Sequence, residues 1–158
     1  MTFCGGLAKV NNNNFTPVKS GIYKKDEINL SNIIFSLKNH PKIKDAGSIL
    51  TFTGIVRNTS KEGKLIRSLE IDAYEELANN SINKICKEIK EIPGIVDVII
   101  IHFKGVFDIK DELVHVIVTS SHREEGFKAL RLAVEKYKKE IAVWKKEVFI
   151  DGSSDWVH

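Results

Sequence analysis

Apolar and polar positions change period several times along the chain, and each change marks an element. Residues 1–25 carry no sustained period, and a four-asparagine run at 11–14 followed by Thr16-Pro17 breaks them further. A mobile N-terminal segment is expected there, with a single domain over residues 26–158. Leu30, Ile33, Ile34 and Leu37 recur at helical spacing, with Asn29 or Ser31 as cap and Pro41 as stop. Residues 48–57 read as a strand. Leu65, Leu69, Ile71 and Ala73 alternate through a second strand, and Gly63 between the two suggests a hairpin with a long loop. Leu77, Ile82, Ile85, Cys86 and Ile89 return to the helical period, closed by Pro93-Gly94. Strands follow at 95–103 and 113–119. A third helix opens at Ser121 or His122, with Phe127, Leu130, Val134, Tyr137 and Ile141 as its apolar face. Residues 143–150 form the last strand, and Asp151-Gly152 turns the chain into a short tail. The order αββαββαβ mixes hairpin strands with helices, which predicts an α+β domain with largely antiparallel sheets.

Composition changes this picture little. The chain has 158 residues, 42% hydrophobic and 28% charged. That excludes disordered, collagen-like and disulfide-scaffold classes. No apolar run approaches the ~18 residues of a membrane span. The first ten residues show no basic stretch ahead of a long apolar one, so a cytoplasmic protein with no membrane role is expected. The net charge of +3 is too mild to call for nucleic acid. Cys4 and Cys86 are far apart and outside any C-x-x-C pair; Cys86, in a helical run, is expected as a small buried hydrophobe.

Several chemistries lack their patterns. There is no P-loop, no G-x-G-x-x-G, no G-x-S-x-G and no H-E-x-x-H, so neither a metal nor a cofactor is expected. His102 and His115 read as hydrogen-bonded or surface strand residues. Three segments stand out. Residues 54–58 carry Arg57 from a strand end into a loop, where it can hold an anion. Ser121 to Glu124 fits a capping box, which leaves His122 and Arg123 as cations at a helix start. The third runs through Lys138, which borders an apolar helix stripe, to Lys145 and Lys146, which strand alternation points to opposite sides. A lysine crowded by cations in a dry pocket loses pKa and gains use as an acid, base or nucleophile. Together these residues support a small-anion or phosphate site at Arg57, His122, Arg123, Lys138 and Lys145, without naming a reaction.

Six stretches in order resemble the large, catalytic subunit of molybdopterin synthase. They are LTFTGIVRN at 50–58, LEIDAYEELA at 69–78, IIHFKG at 100–105, TSSHREEGFKALR at 119–131, YKKEIAVWKKE at 137–147 and DGSSDWV at 151–157. The resemblance implies an α/β hammerhead-type fold with an extra antiparallel sheet. It implies a homodimer with a small ubiquitin-like sulfur carrier at each end, a heterotetramer in all. The carrier's Gly-Gly thiocarboxylate enters a pocket, and two sulfur transfers turn cyclic pyranopterin monophosphate into molybdopterin. The family's pocket falls on Ile55, Val56, Arg57, His122, Arg123, Lys138, Lys145, Lys146 and Glu147, with Lys138 as principal catalytic lysine and Lys145 as its partner. Relatives often carry an arginine where Phe103 stands here. The rival readings are a non-catalytic carrier-binding partner and a small phosphate- or RNA-binding module.

Overall fold

A computed structural model of the chain describes residues 16–157. The part of the N-terminal segment before residue 16, Cys4 included, lies outside the described residues. The elements run β1 (Gly21–Lys24), α1 (Leu30–Lys38), a 3-10 turn (Ile43–Asp45), β2 (Ser48–Ile55), β3 (Ile66–Ala73), α2 (Glu75–Lys90), β4 (Ile95–Asp108), β5 (Glu112–Ser120), α3 (Arg123–Glu140), β6 (Val143–Phe149) and β7 (Ser154–Val157). The expected αββαββαβ order is present in full, with one short strand added at each end. No helix among the described residues is long and apolar enough to cross a membrane.

One seven-stranded sheet runs β2-β5-β4-β3-β6-β7, with β1 also on β4. Every pairing is antiparallel except β1 with β4. The expected β2–β3 hairpin does not form. Beyond a lone bridge from Thr59 to Leu65, β2 pairs with β5, while β3 pairs with β4 and β6. The reason lies in β4, which is 14 residues long and does not stop at Gly105. Its residues 95–102 pair with β5 and residues 105–108 with β3. Gly105 takes φ +137° where the pairing changes hands, a conformation that side chains disfavour.

Two apolar cores lie on opposite sheet faces, as strand alternation requires. Val98 and Ile100 of β4 with Val114, Val116 and Val118 of β5 pack against Ile82, Ile85, Cys86 and Ile89 of α2 and Ala129, Ala133 and Tyr137 of α3. Ile99, Ile101, Phe103 and Ile117 face the other way, onto Ile33 and Leu37 of α1, with Leu69 and Ile71 of β3. Strands buried on both faces read as continuous apolar runs, which is the look of residues 98–101. Cys86 is buried as expected and its Sγ lies 3.4 Å from Ser20 Oγ.

Asn29 caps α1 in a reciprocal capping box with Asn32. The box expected at Ser121 and Glu124 is absent: the α3 cap residue is His122, and no side chain bonds there. The Ser121 hydroxyl donates instead to the Asp45 carbonyl and its N–H to the Gly94 carbonyl. The expected face of α3 holds at Tyr137 and at Leu130, Val134 and Ile141, which pack against the first of these cores, but not at Phe127. Gly126, Ala129, Ala133 and Tyr137 are buried, while Phe127 is 62% exposed. Leu77 of α2 likewise faces outward, with Ala78 buried in its place.

Candidate active site

The C-terminal end of α3, the strand β6 and the loop after β2 meet around two adjoining cavities of about 410 and about 680 Å³. Arg57, His102, Tyr137, Lys138, Lys145 and Val157 line both. Each arrives by a local cause. The β2 register shifts between Gly54 and Ile55. Val56 leaves the β2 ladder and bonds the main chain at Lys110 and Asp111. Val56 is buried, and Arg57 follows it into the open loop at the cavity wall. Lys138 lies in the last turn of α3, where the helix dipole favours a cation. Its ammonium sits 5.9 Å over the Phe52 ring. Lys145 is held between β3 and β7, paired with Ile71 and Val157.

Alternation along β6 separates the neighbouring lysines as expected. Lys145 and Glu147 line the cavity, while Lys146 turns away and bonds Glu70 at 3.1 Å. Ile55 and Val56 line the smaller cavity beside Arg57. His122 and Arg123 are not brought in. They stand at the far end of α3, about 24 Å from Lys138 by helical rise.

Burial lowers the Lys145 pKa, and the neighbouring Lys138 charge lowers it further. No carboxylate is within ion-pair distance of Arg57, Lys138 or Lys145 among the described residues, whereas Lys25, Lys90, Lys104 and Lys146 each have one and Lys136 has two. The cavity is therefore electropositive, and its deepest amine takes up the neutral form more readily than an ordinary lysine. Such a site can draw in an anion and move a proton at Lys145. No group of three His, Cys, Asp or Glu side chains is placed to hold a metal among the described residues.

Two wall residues were not anticipated from the sequence. His102 shares its sheet face with Val98 and Ile100, and so points to α3 and the cavity floor. Tyr137 packs edge-on against it, with ring centroids 6.2 Å apart. Burial raises the Tyr137 pKa to about 12. The β4 alternation was the available signal for His102. Phe103, next along, points to the opposite face and is 2% exposed. It is absent from the lining of either cavity and belongs to the other core.

Comparison with known proteins identifies the family and the fold. Residues 23–140 match the family described as MoaE protein. A molybdopterin synthase catalytic subunit of Thermoplasma volcanium is 32% identical over 76% of this chain and 87% of its own length. Some relatives are longer, the chain spanning 58% of the one from Bos taurus. The crystal structure of molybdopterin synthase from Staphylococcus aureus superposes with a TM-score of 0.78 at 31% identity, over 88% of this chain and 96% of that one. A chain from the complex of subunits 1 and 2 of the Helicobacter pylori molybdopterin-converting factor shares the fold, with a TM-score of 0.69 at 18% identity over 87% of this chain and 88% of that one. The chain belongs to the MoaE family, alongside catalytic subunits of molybdopterin synthase.

Proposed function

We propose that this chain is a sulfurtransferase: the C-terminal thiocarboxylate of a small ubiquitin-like carrier forms a carbon–sulfur bond to cyclic pyranopterin monophosphate, water cleaves the acyl–sulfur bond and leaves the carrier as a carboxylate, and two such transfers build the molybdopterin dithiolene. The observation that carries the reading is the convergence of Arg57, Lys138 and Lys145 on one cavity, from three separate parts of the chain and with no carboxylate paired to them. Arg57 suits the cyclic phosphate, since its guanidinium can grip two oxygens at once. The lysine ammoniums suit the thiocarboxylate and the negative charge that builds as sulfur attacks the pterin. Lys145, with its lowered pKa, is the group fitted to accept and return a proton. Lys138 stabilises charge beside it. The exposed rings of Trp144 and Trp156 at the cavity rim suit a flat ring or an extended tail. Ile55, Val56 and Glu147 complete the substrate-binding wall.

The carrier is part of the same proposal, supported by the Helicobacter pylori complex of two subunits. So is a homodimer. His122 and Arg123 keep a substrate role only if a second copy presents them, because one chain holds them too far from Lys138. Lys146, engaged with Glu70, has no such role within one chain.

Reconstitution tests the reading. The purified chain is mixed with thiocarboxylated carrier and cyclic pyranopterin monophosphate, and product is oxidised to its fluorescent derivative. Product is expected only with both components, and Lys138→Ala or Lys145→Ala should abolish most of it. A stable complex with a competent carrier and no product would replace the enzyme reading with a non-catalytic, carrier-binding one.

A further inference from the structure

His102 lies on the cavity floor and has no part in the reaction outlined above. Its Nδ1 is 3.0 Å from the Phe103 carbonyl oxygen. A carbonyl only accepts, so Nδ1 carries the hydrogen and Nε2 is left as a lone-pair acceptor. No donor bonds Nε2 among the described residues, and the ring is held on one side by the edge-on contact with Tyr137. Burial first, and the Lys145 charge second, bring the imidazole pKa down to about 4. The ring stays neutral near pH 7, and Nε2 does not turn into a donor there.

The charged groups around it ask for a different kind of ligand atom. Arg57, Lys138 and Lys145 are donors matched to anions, and Glu147 is a charged acceptor. A neutral acceptor, buried where water competes little, is matched to a neutral N–H. A pterin ring presents such N–H groups, and its phosphate leaves them free by pairing with the cations. Resting on the sulfur-transfer reading, we propose that His102 is a specificity-determining residue whose Nε2 accepts a hydrogen bond from a ring N–H of the pterin, setting the ring's orientation while Arg57 holds the phosphate.

Asparagine and glutamine separate the two ring nitrogens. His102→Asn keeps a side-chain N–H near the position of Nδ1 and loses the acceptor. His102→Gln places its amide oxygen near the position of Nε2. Binding of cyclic pyranopterin monophosphate to the chain alone, and KM and kcat in the reconstituted reaction, are measured for both, with melting temperatures as the check on folding. His102→Asn should weaken pterin binding and raise KM about tenfold, the scale of one hydrogen bond, with kcat changed less. His102→Gln should return to within about threefold of wild type. Unchanged pterin affinity in folded His102→Asn overturns the proposal, as does Gln no better than Asn, or a loss confined to carrier binding. Should His102→Asn not fold, a pterin methylated at the ring N–H carries the same comparison on the wild-type chain. A wild-type chain without turnover would sink the sulfur-transfer reading itself, whereas an active wild type with an indifferent His102→Asn sinks only the role of His102.

Discussion

At the scale of single residues, the buried His102 and the half-buried Lys145 report on the cavity, and both shifts can be read by titration. Burial is the larger cause of the lowered Lys145 pKa and the Lys138 charge the smaller. Lys138→Met should therefore move the pH profile of amine labelling at Lys145 upward, part of the way to that of an ordinary lysine. A profile that does not move would remove Lys138 from the electrostatics of the site. His102 gives a stability signature instead. Its pKa is about 4 folded, against about 6.5 when unfolded. Between those values the unfolded chain takes a proton that the folded chain refuses, so stability falls as pH drops through the window. At about 1.4 kcal/mol per unit, the loss approaches about 3 kcal/mol. Denaturant titrations of wild type and His102→Asn from pH 7 to pH 4 should converge by roughly that amount, because the other acid-sensitive groups are common to both. Parallel curves would mean that His102 takes up its proton as readily in the folded chain as in the unfolded one. Lys146 is the contrast: its ion pair with Glu70 is partly exposed, and such pairs contribute about 0–1 kcal/mol.

At the scale of elements, the chain announces its large side chains more clearly than its small ones. In α3 Leu130, Val134, Tyr137 and Ile141 mark the side that packs, but Phe127, the most conspicuous of the set, points outward, and small residues make the closest approach. Gly126, Ala129 and Ala133 let its backbone come close to the sheet. A Cβ at Gly126 would lie 2.4 Å from Ser120 Oγ and 2.5 Å from Leu50 Cδ1. Gly126→Ala should therefore destabilise the chain by about 1–3 kcal/mol, although alanine is the better helix former. Phe127→Ser should stay within about 0.5 kcal/mol of wild type. Chemical denaturation of the two variants decides the matter, and the opposite ranking would put Phe127 on the packed side. The same bias explains the edge strands. β1 and β7 have four residues each, too few to show alternation, and the sequence of β7 mixes Ser, Asp and Trp. The capping box at Ser121 failed for a different reason. The serine is spent tying the end of β5 to the 3-10 turn and to Gly94, long-range partners that no local pattern contains.

At the scale of the whole molecule, what was legible of the site is what strand alternation and the family pattern could reach. Arg57, Lys138 and Lys145 were visible as cations at element ends, and the split of Lys145 from Lys146 follows from the two-residue period. The depth of Lys145 was not visible, because it depends on which strands flank β6. That flanking ties the outermost strand to the chemistry. β7 pairs Val157 with Lys145 and brings Trp156 to the cavity rim. Removing residues 153–158 would open Lys145 to water on one side while leaving both apolar cores untouched, since neither draws a residue from β7. The truncated chain should melt close to the full one. Its Lys145 labelling profile should shift to higher pH, and turnover at neutral pH should fall as less of the amine is neutral. The shift should exceed that of Lys138→Met, because desolvation outranks the neighbouring charge. A truncated chain with the wild-type profile would show that β3 and α3 alone keep this amine dry, and would leave β7 only the task of presenting Trp156.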